Sequence, residues 1–241
     1  MAEGFRCKQF FVAHDACAMK VGTDSLILGS WAKADNAQRI LDIGTGTGLL
    51  TLMLMQKAPD LAYATAIDID ENAVKQAKEN VRCSPWASRI TVLHGNITCF
   101  PLEQKYDVII ANPPYFTGRG APTSAYQHAT EARLSARLDE GLSATQLLQV
   151  VDRALDHSGI FYCVYPASRD PEIRLAASEH HLNLISRLSI SATQGSEPYL
   201  YGYEMGRENR PTIFSSLAIR DREHQYTQAY RQLCKDYYLH F

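Results

Sequence analysis

Arg39-Ile40-Leu41-Asp42-Ile43-Gly44-Thr45-Gly46-Thr47-Gly48-Leu49-Leu50 passes in twelve residues from an apolar, β-branched run to three glycines to an apolar helical run ending near Gln56. A short buried strand, a glycine loop and a helix in direct succession let backbone approach a nucleotide closely, with the helix N-terminus turned towards it. The glycines stand as Gly-x-Gly-x-Gly, not the Gly-x-Gly-x-x-Gly of dinucleotide folds, and Asp42 lies just ahead of Gly44, where it would repel a pyrophosphate. A carboxylate there suits a cationic ligand. The plainer alternative is a tight strand-to-helix turn that needs glycine for its backbone alone.

Outward from this stretch the pattern repeats. Ala62 to Ile67 reads as a second strand ending at Asp68-Ile69-Asp70-Glu71, and Asn72 opens a helix through about Arg82. Asp68 follows Gly44 by 24 positions, close to the roughly 20 that separate a glycine loop from a ribose-binding acid. On that reading Asp68 accepts from ribose hydroxyls and Ile69 lies on an adenine face; a helix cap is the competing use of an acid at a strand end. Arg89 to His94, then Gly95-Asn96-Ile97, is a third unit. His94, alone at a strand end, reads as structural, and Asn96 is placed to meet an adenine edge. Tyr106 to Ile110 is the fourth strand. Strands alternating with helices specify an α/β fold with a doubly wound, mostly parallel, Rossmann-like sheet; with strands expected at Gly159–Tyr165, Leu184–Ala192 and Tyr199–Met205, the expectation is seven strands.

The fourth strand stops at Asn112-Pro113-Pro114-Tyr115. Two prolines remove two donors, lock two φ angles and hold Asn112 extended, so the chain turns rigidly at a strand's carboxyl end, where open α/β sheets bind ligands. An ordinary turn is the alternative. Before the glycine loop, Lys20-Val21-Gly22-Thr23-Asp24 precedes a helix over Ser25–Trp31, with Thr23 or Asp24 as its cap; the turn is either a simple cap or a ligand site. Phe5 to Val12 is a strand or a clasp. Residues 116–143 show little apolar periodicity and read as an active-site loop. Helices are expected over Ala144–Asp156 and near Arg169–His181, and a strand-like run over Thr212–Ile219. Arg220 to Phe241 reads as a helix whose Tyr226, Tyr230, Tyr237 and Tyr238 either pack on the core or stack on bases.

Bulk properties narrow the class. The chain has 241 residues, 46% hydrophobic and 21% charged, with net charge -2, enough for one full core. A single domain is expected: an N-terminal segment 1–36, a core 37–206 and a C-terminal extension 207–241. No apolar run reaches membrane-span length and the start lacks a signal-peptide pattern, so a cytoplasmic, membrane-free protein is expected. Six scattered cysteines without a CxxC pair read as buried reduced thiols, not a metal site. Residues 121–241 hold eleven Arg and one Lys against five Arg and seven Lys before them, a bias that suits phosphate contact but is balanced by acids.

Leu41 to Gly48, Asp68, His94-Gly95-Asn96-Ile97 and Asn112-Pro113-Pro114-Tyr115 together resemble the class I S-adenosylmethionine-dependent methyltransferases. The resemblance implies S-adenosyl-L-methionine as cofactor, with the glycine loop (Gly44, Gly46, Gly48) facing its methionine part, Asp68 its ribose, and Asn96 and Ile97 its adenine; Asn96 stands where the superfamily usually has Asp. It implies that Asn112 and the Pro113 carbonyl accept hydrogens from a planar amine while Pro114 and Tyr115 complete the motif. Lys8 to Asp15, Cys17 to Asp24, Ser84-Pro85-Trp86-Ala87 and Leu217-Ala218-Ile219-Arg220 are similar to the bacterial tRNA-valine adenine-N6 methyltransferases over nearly the whole chain. That resemblance implies methylation of N6 of the adenine just 3′ of the anticodon, a tRNA anticodon loop as partner, Lys20, Gly22 and Thr23 on the cofactor, and Arg119, Arg133 and Arg220 on RNA, with no obligate protein partner. Alternatives sharing the motif are a methyltransferase of a protein glutamine amide or of rRNA guanine-N2; a third is a non-catalytic, cofactor-binding RNA-binding module.

Overall fold

A computed structural model describes residues 3–14, 21–114 and 142–239. Lys20, Tyr115, Arg119, Arg133 and nearly all of the 116–143 segment lie outside them.

The central strand, β3 (Arg39–Ile43), is buried on both faces from Ile40 onward, as its unbroken apolar run requires. Two short strands, β1 (Gly4–Arg6) and β2 (Phe11–Ala13), and helix α1 (Thr23–Trp31) precede it; α2 (Leu49–Lys57), β4 (Tyr63–Asp68), α3 (Glu71–Arg82), β5 (Ile90–His94) and β6 (Tyr106–Ala111) follow. After the undescribed stretch come α4 (Ala144–Ala154), β7 (Leu155–Pro166), α5 (Asp170–Glu179), β8 (Asn183–Thr193), β9 (Leu200–Gly206), β10 (Ile213–Arg220) and α6 (Gln228–Cys234).

The main sheet has eight strands in the order β10-β8-β9-β7-β6-β3-β4-β5, where seven were expected. Among the described strands of this sheet only β9 runs against its neighbours. The eighth strand is β10, from the C-terminal extension, which pairs parallel to β8 from Ile213↔Ser186 to Arg220↔Thr193. Leu217 and Ile219 alternate into the core, and pairing satisfies the β8 edge that would otherwise stand open.

Two cores flank the sheet. On one face α1, α2, α3, α6 and the β1–β2 hairpin share a cluster; on the other α4 and α5 do. α2 is apolar around its circumference, Leu49 to Met55 all buried, because it lies between sheet and α1. α3 is held at its start by Asp70, whose side chain accepts from the Asn72 amide, and α4 by a capping box of Ser143 and Gln146.

The expected C-terminal helix is cut to two turns. Asp221 accepts from the Glu223 and Gln225 amides, making a turn, and Thr227 caps α6 through the Tyr230 amide; such side chains compete with helix. Of the four tyrosines, Tyr230 and Tyr237 are buried, with the Tyr237 hydroxyl on the Met53 carbonyl. Packing is the use of those two, not base stacking. The hairpin closes the same face: Phe10 meets Trp86 edge-on and Phe5 meets Tyr238. Cys7, Cys163 and Cys234 are buried, as expected of the thiols, but Cys83 and Cys99 are exposed; all five described cysteines are free. Among the described residues no helix is long and apolar enough to cross a membrane.

Candidate cofactor and methyl-transfer site

Strand register gathers the sequence motifs along one rim. Ile43 pairs with Ile67 and with Ala111, and Asp68 with His94. Gly44, Asp68, Gly95 and Asn112 therefore leave the carboxyl ends of four adjacent strands. The chain proceeds from β3 outward to β4 and β5, then returns to β6 on the other side, so Gly44 and Asn112 flank the switch point, the ligand crevice of doubly wound sheets.

The glycine loop is a backbone cradle with a buried acid beneath it. Gly44 and Gly46 have φ of +70° and +55°, and a Cβ at either would meet nothing within 4 Å. Their glycines answer a left-handed backbone beside open space, not internal crowding. The Gly44 and Thr45 amides donate to the Ile67 carbonyl, and the Gly46 amide to Asp68 Oδ2 at 2.8 Å. Asp42 is fully buried; its Oδ2 accepts from Thr45 Oγ1 (2.7 Å), Thr51 Oγ1 (2.6 Å) and the Thr51 amide (3.1 Å). Burial pushes its pKa up to about 6, against those hydrogen bonds and with a smaller contribution from the Asp68 charge. Its other oxygen, Oδ1, is buried without a partner among the described residues. Asp42 thus faces the loop from below. Thr51, which no motif flagged, carries two of its three bonds. Replacing Thr51 with valine keeps the shape and the amide bond but removes a hydroxyl from a buried carboxylate, so chemical denaturation should show a loss of about 1.5–3 kcal/mol.

Around the rim, Asp68 Oδ1 accepts from the Asp70 amide, and Ile69 is 57% exposed, a free apolar shelf. His94 is structural: Nε2 lies 3.0 Å from the Ile69 carbonyl and holds that shelf. Asn96 is exposed, and its Oδ1 already accepts from the Thr98 amide and hydroxyl; the expected bond from an adenine amine to that oxygen therefore competes with two local donors. Ile97 is buried, its side chain in the second core. Arg153 at the end of α4, another residue the sequence did not flag, pins this loop through the Ile97 and Thr98 carbonyls.

At the motif, Pro113 is buried while Asn112 and Pro114 are half-buried, and Asn112 Nδ2 donates to Ser25 Oγ at 2.7 Å. Ser25 belongs to α1, whose N-cap is Gly22 (φ −109°, ψ 160°) with no side-chain cap. Neither Thr23 nor Asp24 is the expected cap. Thr23 is the exposed first residue of the helix, and Asp24 instead accepts from the Tyr199 hydroxyl at 2.9 Å, burial pushing its pKa upward. Arg220, at the end of β10, donates to the His224 carbonyl and stacks on Tyr226, away from the glycine loop in sheet order. Among the described residues no group of three or more His, Cys, Asp and Glu could hold a metal ion.

Parallel strands with one reversed strand, wound both ways from a glycine loop, make this a class I methyltransferase fold. A predicted O-methyltransferase from Agrobacterium tumefaciens superposes with a TM-score of 0.65, covering 89% of this chain and 96% of that one at 17% identity. The family model for the methyltransferase small domain matches residues 17–166. A tRNA1(Val) (adenine(37)-N6)-methyltransferase of Bacteroides thetaiotaomicron is 40% identical, covering 98% of this chain and 97% of its own. One of the same name from Pectobacterium carotovorum is 40% identical over 98% and 94%. The chain belongs to the family of the tRNA1(Val) (adenine(37)-N6)-methyltransferases.

Proposed function

We propose that this protein transfers a methyl group from S-adenosyl-L-methionine to N6 of adenine 37 of a valine tRNA, the activity named in its relatives. The observation that carries the reading is the register that sets Asn112 beside the glycine loop, through the pair Ile43↔Ala111. The residues fit the cofactor. Open space lies where side chains at Gly44 and Gly46 would stand, and the buried Oδ1 of Asp42, without a partner among the described residues, is matched to a ligand carrying positive charge. Gly44, Gly46 and Gly48 would take its amino-acid part, Asp68 its ribose and Ile69 its adenine, with Gly22 and Thr23 approaching from α1. When bound, S-adenosyl-L-methionine supplies an electrophilic methyl group on a sulfonium.

The chain's own contribution is to prepare the nucleophile. An exocyclic adenine amine is a poor one because its lone pair is delocalised into the ring. Asn112 Oδ1 and the Pro113 carbonyl accept its two hydrogens, drawing them out of the ring plane and localising the lone pair towards the methyl carbon. Fixed dipoles then meet the positive charge that develops on nitrogen, and the rigid turn supplies alignment. The methylated nitrogen is acidic and releases its proton to solvent, so the motif needs no strong base. An anticodon-loop base is single-stranded and can enter a pocket at modest cost. Within this reading residues 1–36 close the cofactor side, 37–206 form the catalytic core, and Arg220 in the 207–241 extension meets phosphate.

The test is incubation with labelled S-adenosyl-L-methionine and total tRNA from a strain lacking the gene, followed by nucleoside mapping. The expected product is N6-methyladenosine in a valine tRNA alone. Label in a polypeptide, or in a methylguanosine, would overturn the reading.

A further inference from the structure

Asn112 works only if its amide faces the right way: Oδ1 must meet the reacting amine, and a half-turn about the last side-chain bond would put an NH2 donor in its place. The bond from Nδ2 to Ser25 Oγ, at 2.7 Å, spans 87 residues of sequence and ties that amide to α1. Ser25 sits in the first turn of α1 beyond the Gly22 cap, and the cap makes no side-chain hydrogen bond. Its hydroxyl therefore does not serve the usual purpose of a serine at a helix start.

The helix that carries it is anchored at both ends. Next to Ser25, Asp24 is held by the Tyr199 hydroxyl from the start of β9. At the other end Lys57 Nζ donates to the carbonyls of Gly29, Ser30 and Ala32, all at 2.7–2.8 Å, closing the orphan carbonyls of the last turn. On such a strut the hydroxyl anchors the neighbouring amide, and with its oxygen accepting from Nδ2 the amide's Oδ1 is left for the reacting amine.

We propose that Ser25 is a positioning residue for methyl transfer, holding the Asn112 amide with its nitrogen towards α1 and its oxygen towards the amine to be methylated. This rests on the methyl-transfer reading above. It separates Ser25 from the cofactor machinery: its loss should be felt in the chemical step and not in cofactor capture.

The experiment compares the full-length protein with its Ser25→Ala, Ser25→Thr and Asn112→Ala variants, using S-adenosyl-L-methionine and tRNA from the deletion strain. Ser25→Ala should lower kcat about 10- to 100-fold, the scale of a small misplacement at a reacting group. The KM for tRNA and the Kd for S-adenosyl-L-methionine should stay within about twofold and the Tm should not fall, since alanine favours a helix. Ser25→Thr, which keeps the hydroxyl, should recover most of the loss. Unchanged kcat in Ser25→Ala beside an inactive Asn112→Ala would overturn the proposal alone. So would cofactor affinity falling in step with kcat, which marks a merely structural role, or failure of threonine to rescue. An active Asn112→Ala would instead bring down the underlying reading of the motif.

Discussion

Asn112→Ala is expected to lower the single-turnover rate of methyl transfer by about 10²–10³-fold, the cost of removing one preorganised dipole from a developing charge. The loss should be confined to chemistry. Asn112 is half-buried at the rim, and the glycine loop, proposed above to cradle the cofactor, is held by other groups: Asp42, Thr45, Thr51 and the Gly46–Asp68 bond. Calorimetric titration with S-adenosyl-L-methionine should therefore give a Kd within about tenfold of the parent. Asn112→Asp is the sharper companion. It keeps an acceptor of the same shape but has no amide hydrogen for Ser25, and it places a full charge beside an amine whose hydrogens must be shared with the Pro113 carbonyl. Its rate should fall between those of Asn112→Ala and the parent. A transfer rate for Asn112→Ala within tenfold of the parent would remove Asn112 from the reaction.

Those parts of the fold were legible where one local signal had no competitor. Arg39–Ile43 is a strand with the expected bounds because an apolar β-branched run between a polar stretch and a glycine loop has no helical reading. The glycine loop, Asp68 and Asn112 could be joined in advance because parallel order and aligned register follow from strand-helix alternation. What escaped depends on contacts far apart in sequence. That β10 would join the sheet depended on the open edge of β8, which the run from Thr212 to Ile219 cannot show by itself. The cap of α1 differs from the expected one because Thr23 and Asp24 are both good caps by type, while Tyr199, 175 residues from Asp24, takes the carboxylate. Ser25, Thr51 and Arg153 matter through hydrogen bonds to Asn112, Asp42 and the Ile97 and Thr98 carbonyls, and nothing in their own spacing announces those partners. Asn96 illustrates the reverse case: it leaves the end of β5 as the pattern expects, but Thr98, two residues on, competes for the oxygen that the pattern assigned to adenine.

Asp42→Asn is expected to stabilise the cofactor-free protein while weakening cofactor binding. The Asp42 carboxyl is pushed up from its ordinary 3.8 to about 6, chiefly by burial. An acid whose pKa is raised on folding binds more protons in the native state than in the unfolded chain between those two values, so stability rises as pH falls through 6 and levels off near 4. At neutral pH the ionised side chain therefore costs about 3 kcal/mol. An asparagine retains an oxygen for the Thr45 and Thr51 donors and carries no charge. Its nitrogen takes the position of the unpartnered Oδ1, a buried donor costing about 1 kcal/mol. The charge is the larger of the two effects, leaving a net gain of about 2 kcal/mol, or a Tm higher by about 4–8 °C for a chain of this size. Denaturation of both proteins from pH 4 to 8 should show the gap opening between 4 and 6 and staying constant above; a variant less stable than the parent at pH 7 would contradict this. Affinity for S-adenosyl-L-methionine should fall at least tenfold at pH 7 in the variant, because the charge that costs stability is the one proposed to meet the cationic ligand in a desolvated pocket. Below pH 6 the parent should lose affinity too, as its carboxylate takes up a proton, whereas the variant's affinity should not follow that titration.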